Sequence, residues 1–125
     1  MANSSAKPAS DMYEPIPPLI SREALQQRIA ELGRQITTDY AGKNHVKVIG
    51  ALRGCFVFMA DLIRSIEMPV KIDFMEISSY GKAMVSSGNI KILKDLSDDP
   101  HGEHVLIAED IIDTGITLGY LMELL

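Results

Sequence analysis

The sequence predicts an α/β fold: an open, mostly parallel sheet flanked by helices, with a hairpin-like flap. Three observations predict it. Near-continuous apolar runs at Val46–Leu52 and from His104 to Ala108 are the pattern of strands covered on both faces. Segments with helical spacing lie among such runs, in the order helix, strand, helix, strand, loop, strand, strand, helix. Arg53-Gly54 and Glu109-Asp110 each follow a strand directly, and open α/β sheets bind ligands beyond the carboxyl ends of their strands.

Taken in order, residues 1–12 are rich in Ala, Ser and Pro and read as a disordered tail, and 13–125 as one domain. Four of the six prolines stand at positions 8, 15, 17 and 18, so Tyr13 to Ile20 is expected to form an extended arm laid on the surface. Ser21 has the chemistry of a helix N-cap. Leu25, Ile29, Leu32, Ile36 and Tyr40 then recur at helical spacing, which predicts an amphipathic helix over 22–40. Val46–Leu52 is a strand broken by Arg53-Gly54, and Cys55–Ile66 a second helix. Pro69 precedes a strand over Val70–Ser78. Ser79-Tyr80-Gly81-Lys82 opens a polar loop that runs through Ser86-Ser87-Gly88. Ile90–Leu93 returns as a strand, and Asp95–Gly102 is a turn region. A strand to Ala108 and a helix from Ile116 or Thr117 complete the chain. Its last residues are apolar and uncapped, so the chain is expected to continue beyond Leu125 in a longer parent.

Composition bounds the function. With 46% hydrophobic and 23% charged residues the chain has the makeup of a soluble globular protein rather than a disordered one. Twelve Lys and Arg against seventeen Asp and Glu give −5, which argues against a general nucleic-acid binder. The single cysteine, Cys55, allows no intrachain disulfide and fits a reducing, cytoplasmic home. No apolar run is long enough to span a bilayer, so no membrane partner is expected.

The chemistry concentrates in Val105–Leu118. Two carboxylates, Glu109 and Asp110, follow the strand, and Asp113 opens the turn Asp113-Thr114-Gly115 before the helix. A helix N-terminus offers free N–H groups and a favourable dipole to an anion. Gly115 lets the backbone approach a phosphate, and the Thr114 and Thr117 hydroxyls add donors. Carboxylates beside a phosphate suit a ligand that also brings sugar hydroxyls and Mg²⁺. The plainer reading is a solvated helix-entry loop with Asp113 as N-cap. For Arg53-Gly54 it is an ordinary strand–helix turn, and for Ser79-Tyr80 a surface turn. Cys55 reads as buried filler, the histidines as surface or strand-entry residues, and Lys91 and Lys94 as a solvated strand face.

Glu109-Asp110-Ile-Ile-Asp113-Thr114-Gly115-Ile116-Thr117 resembles the phosphoribosyl diphosphate (PRPP) motif of type I phosphoribosyltransferases, in the form found in hypoxanthine(-guanine) phosphoribosyltransferases. Three further stretches carry the resemblance in order: Gly50 to Asp61, with Arg53-Gly54, resembles the diphosphate loop and its helix; Ile72–Met75 with Ser78–Gly81 the strand into a mobile flap; and Ile92–Leu96 the flap's return.

The resemblance implies transfer of 5-phosphoribosyl from PRPP to N9 of a 6-oxopurine, with release of diphosphate. It implies Mg²⁺ as cofactor, and Glu109 and Asp110 on the ribose hydroxyls and supporting the metal. Asp113 would be the general base at purine N7, or a hydrogen-bonding group that stabilises charge there. Residues Asp113 to Thr117 would cradle the 5′-phosphate, Arg53 and Gly54 hold diphosphate, and Ser79 and Tyr80 close over the cleft. The family usually has Lys where this chain has Arg53, and its contact there is largely backbone, in a strained peptide before the glycine; altered diphosphate release is expected. The family is usually dimeric or tetrameric, and Cys55–Ile66 is one contact surface to consider. The resemblance also implies purine-reading residues, further core strands and a late aspartate near Mg²⁺, all beyond Leu125. The alternatives are a non-catalytic PRPP-binding remnant and an RNA-binding pyrimidine-operon regulator on the same fold; the acidic balance counts against the second.

Overall fold

The computed structural model describes residues 15–79 and 90–125. The expected tail over 1–12, the start of the arm at Tyr13, and the flap loop from Tyr80 through Gly88 lie outside the described residues. From Pro15 onward the arm does not pack on the surface as expected: Ile16 is 90% and Leu19 100% exposed. Pro15, Pro17 and Pro18 explain part of this, because a proline brings no N–H with which to join a neighbouring element.

Helix α1 (Arg22–Asp39) starts where Ser21 predicts, the Ser21 hydroxyl accepting the Ala24 N–H at 3.1 Å. Ile29, Gly33 and Ile36 form its buried stripe, while Leu25 overhangs at 52% exposure. Thr37 Oγ1 donates to Gly33 O and accepts the Glu67 N–H at 2.9 Å, which ties α1 to the segment that leads to Val70. Strand β1 (Val46–Ala51) is buried along its whole length, as an apolar run without alternation requires. Helix α2 (Phe56–Ile63) is shorter than the Cys55–Ile66 expected. Its end tightens into i→i−3 bonds, Ser65 N–H to Leu62 O and Ile66 N–H to Ile63 O, and Phe56 and Val57 face outward at 60% and 58% exposure.

Strands β2 (Val70–Ser79) and β3 (Ile90–Lys94) are antiparallel, with a bulge at Glu76/Ile77. Strand β4 (Val105–Ala108) and helix α3 (Ile116–Leu124) follow. The sheet order is β3-β2-β1-β4, with β2 and β4 both parallel to β1. Alternating residues of β1 send Val46 and Val48 into a core shared with α1 and α2, and Ile49 and Ala51 into a second core with Leu121 of α3. Helices therefore cover both faces of the sheet. The chain leaves β1 on one side for β2 and β3 and returns on its other side as β4, so the β1–β4 seam is where strand order reverses.

Charge is buried in the sheet at Lys47 and Asp73, which are 2% and 5% exposed. Lys47 Nζ lies 3.8 Å from Asp73 and 3.6 Å from Glu103, and donates to Asp98 O. Burial pushes the Asp73 carboxyl up, but bonds from the N–H groups of Phe74, Ser97 and Asp98 and from the Ser97 hydroxyl outweigh it and hold the group below its ordinary range. Lys94 stays partly solvated, its side chain 42% exposed, but its ammonium also donates to Phe74 O at 3.0 Å and Asp95 O at 2.9 Å. These bonds anchor the β3–β4 connection to the middle of the sheet.

Asp73→Ala would leave the buried Lys47 with Glu103 as its one remaining carboxylate and the Ser97 N–H unpaired. The expected loss is about 3 kcal/mol at pH 7, read from urea unfolding midpoints. A depressed carboxyl contributes stability above its unfolded pKa and loses it as pH falls through the folded one. The gap between wild type and variant is therefore expected to close in acid.

Candidate active site

Gly50 is in register with Phe74 on one side and Ala108 on the other. The segments that leave β1 and β4 therefore emerge level with each other at the carboxyl edge of the sheet, at the seam where ligands bind in such folds. Two sequence-predicted groups, Arg53-Gly54 and Glu109-Asp110, are brought together here.

The β1–α2 loop contains a cis peptide between Leu52 and Arg53. Gly54 lies so close to Asp110 that a Cβ placed on it would run into the Asp110 carboxylate. Glycine is required there by close approach rather than by backbone angle. Arg53 is 86% exposed, and its Nε donates to Glu76 Oε1 at 3.3 Å, towards β2 rather than towards the acidic pair. Cys55 is fully buried beneath the loop; burial, then the charges of Glu109 and Asp110, push its thiol pKa up, which fits buried filler.

The β4–α3 loop wraps a cavity of about 190 Å³ lined by Glu109, Asp113, Thr114, Gly115 and Thr117, with Ile111, Ile112 and Leu118 on its apolar side. Gly115, at φ 79°, is the N-cap of α3, in the left-handed region that other residues avoid. The plainer reading of Asp113 as N-cap is thereby corrected: Asp113 stands two residues earlier, exposed at the cavity wall. The Ile116 N–H is bonded to Thr114 Oγ1 at 3.4 Å, its side chain is 51% exposed, and it does not line the cavity. The first intrahelical bond is Gly119 N–H to Gly115 O, and the earlier N–H groups of the turn face outward from the helix end.

The acidic pair is electrically uneven. Burial, then the hydrogen bond shared with Asp110, push the Glu109 carboxyl above its usual range. That same bond holds Asp110 below its own. As oxygen donors the two carboxyls suit a hard cation. Among the described residues no group of three or more His, Cys, Asp or Glu is placed to hold a metal by itself.

Ser79 ends β2, and Tyr80 lies outside the described residues. His45 stands 3.6 Å from Glu103, and His104 meets the Tyr40 ring edge-on, both away from the site. The residue missed by sequence reasoning is Glu76. Its pairing with Arg53 depends on the parallel register that sets Ala51 beside Met75, which residue spacing does not reveal. No helix among the described residues is long and apolar enough to cross a membrane.

Residues 20–125 match the phosphoribosyl transferase domain family, and the chain belongs to that family. Among its relatives, a hypoxanthine-guanine phosphoribosyltransferase from Dictyostelium discoideum is 49% identical over 110 residues, covering 86% of this chain and 61% of that protein. A hypoxanthine phosphoribosyltransferase from Haemophilus influenzae is 51% identical over 109 residues, with the same coverage of each. A solved hypoxanthine-guanine phosphoribosyltransferase from Bacillus anthracis superposes with a TM-score of 0.80 at 45% identity, over 89% of this chain and 65% of that one. The chain thus spans a little under two thirds of the length of these relatives.

Two substitutions test this geometry. Gly54→Ala is expected to displace the Asp110 carboxylate while shifting the melting temperature by only a few degrees, since a side-chain end can yield; an NMR shift of the Asp110 carboxyl reads it directly. Glu109→Gln removes a carboxyl whose folded pKa is raised. Such a group favours the folded state below its unfolded pKa and loses that contribution as pH rises through the folded one. The variant is therefore expected to melt roughly 2–4 °C higher than wild type at pH 7, and to lose that advantage near pH 4.

Proposed function

We propose that the chain carries the PRPP-binding part of a phosphoribosyltransferase of purine salvage. The reaction moves 5-phosphoribosyl from PRPP to N9 of hypoxanthine or guanine, giving IMP or GMP and diphosphate. One observation carries this reading: a helix N-terminus opened by Gly115, walled by Asp113, Thr114 and Thr117, stands beside a carboxylate pair at the sheet's switch point. The donors suit a 5′-phosphate, and the carboxylates suit ribose hydroxyls and a hard cation. The identity of about half with proteins named for this reaction supports the choice of purine.

In this reading the N–H groups and hydroxyls from Asp113 to Thr117 hold the 5′-phosphate. Glu109 and Asp110 accept hydrogen bonds from the ribose 2′- and 3′-hydroxyls. Arg53 and the loop backbone at Gly54 hold diphosphate, and Ser79 and Tyr80 belong to the flap that excludes water. Mg²⁺, held on the side of Glu109 and Asp110, supplies charge neutralisation to the leaving diphosphate. Purine N9 attacks C1′ as the bond to diphosphate oxygen breaks, and Asp113 takes or stabilises the proton at N7. A reducing, cytoplasmic setting fits the single buried cysteine. The partners proposed are PRPP, a purine base and further copies in a dimer or tetramer; the net charge of −5 disfavours nucleic acid.

The test is nucleotide formation from PRPP, Mg²⁺ and hypoxanthine or guanine, with PRPP binding measured in parallel. Asp113→Asn is expected to lower kcat by about 10²-fold with little change in PRPP affinity. Mg²⁺-dependent PRPP binding without turnover would favour the binding remnant over the enzyme. Absence of both would overturn the proposal.

A further inference from the structure

The Arg53–Glu76 pair joins two segments to which the proposed function gives separate tasks. Arg53 sits in the β1–α2 loop, and Glu76 lies on β2, three residues before the strand ends at Ser79. The sheet order puts β2 and β4 on opposite flanks of β1. The loop is consequently held at two points. Gly54 presses on Asp110 on the β4 side, and the Arg53 guanidinium is drawn to Glu76 on the β2 side. Glu76 stands in register with Lys94, yet the Lys94 ammonium is spent on the carbonyls of Phe74 and Asp95. Arg53 is thus the cation paired with Glu76 among the described residues. Glu76 is half-buried at the β2–β3 bulge and has little freedom to follow, whereas Arg53 is 86% exposed and free to swing.

We propose that Glu76 is a positioning residue for diphosphate. It holds the Arg53 guanidinium on the flap side of the cleft, and diphosphate must take that guanidinium from it in order to bind. This rests on the reading of Arg53 and Gly54 as the diphosphate loop. A carboxylate and a diphosphate compete for the same planar donor, and the more highly charged group prevails. The competition weakens the hold on diphosphate and so speeds its departure as product.

The experiment is calorimetric titration of Mg²⁺-diphosphate, at low ionic strength, into the chain and its Glu76→Gln, Arg53→Met and doubly substituted forms. Glu76→Gln is expected to tighten diphosphate binding two- to five-fold, the range of an exposed ion pair. In the Arg53→Met background the same change is expected to leave affinity unaltered. Glu76→Asp, which keeps the charge, is expected to stay near wild type, a rescue that a purely structural role would not give. Equal tightening in both backgrounds would assign the effect to the general field of the carboxylate and overturn the proposal. So would no tightening in a wild-type chain that binds diphosphate. Absence of diphosphate binding in all four forms, with folded thermal profiles, would instead overturn the diphosphate-loop reading and this inference with it.

Discussion

Gly50 shares its register with Phe74 on one side and Ala108 on the other, and the geometry of the site depends on that alignment. Because β1 and β4 end within one residue of each other, the segments beyond them cannot help meeting. Leu52 N–H closes onto Met75 O at 2.8 Å, so the ladder continues one residue past β1 and sets the angle at which Arg53 and Gly54 depart. A slip of one residue in β4 would reverse which of its side chains meet α1 and α2 and which meet α3. Leu106 and Ala108 would then exchange faces with Val105 and Ile107, at the cost of both cores. Packing therefore protects the register, and the register holds Asp110 against Gly54.

The elements were legible where one physical pattern dominated. Ser21 announced α1, and the unbroken apolar character of Val46–Ala51 announced a doubly covered strand, because a single chemistry decided each. The β4–α3 loop was legible because carboxylates, hydroxyls and glycine crowd into a few residues. What escaped was decided by partners that no residue pattern marks. The end of α2 was set by a tightening turn, and the fate of Lys94 by carbonyls twenty residues away and next door. The proline-rich arm was expected to lie on the surface, yet Leu19 meets no surface among the described residues. The Glu76 partnership needed the tertiary register before it could be seen.

The acidic pair is unequal. Glu109 is partly shielded and its carboxyl is pushed up, whereas Asp110 is exposed and held below its ordinary range. Elsewhere the same sheet treats charge differently. Asp73 is surrounded by donors and Lys47 by acceptors, so their burial is compensated. The contrast separates charges compensated within the fold from a pair the fold compensates unevenly.

The enclosure of Cys55 gives the molecule an internal clock. Its sulfur is sealed under the β1–α2 loop, and burial together with the Glu109 and Asp110 charges keeps it in the unreactive protonated form. A thiol reagent in solution reaches it only when that loop lifts or the surrounding core opens. Since the chain has one cysteine, the rate of its modification counts those openings without any label being introduced. A ligand that settles on the loop would slow the count, and a loosened sheet edge would hasten it.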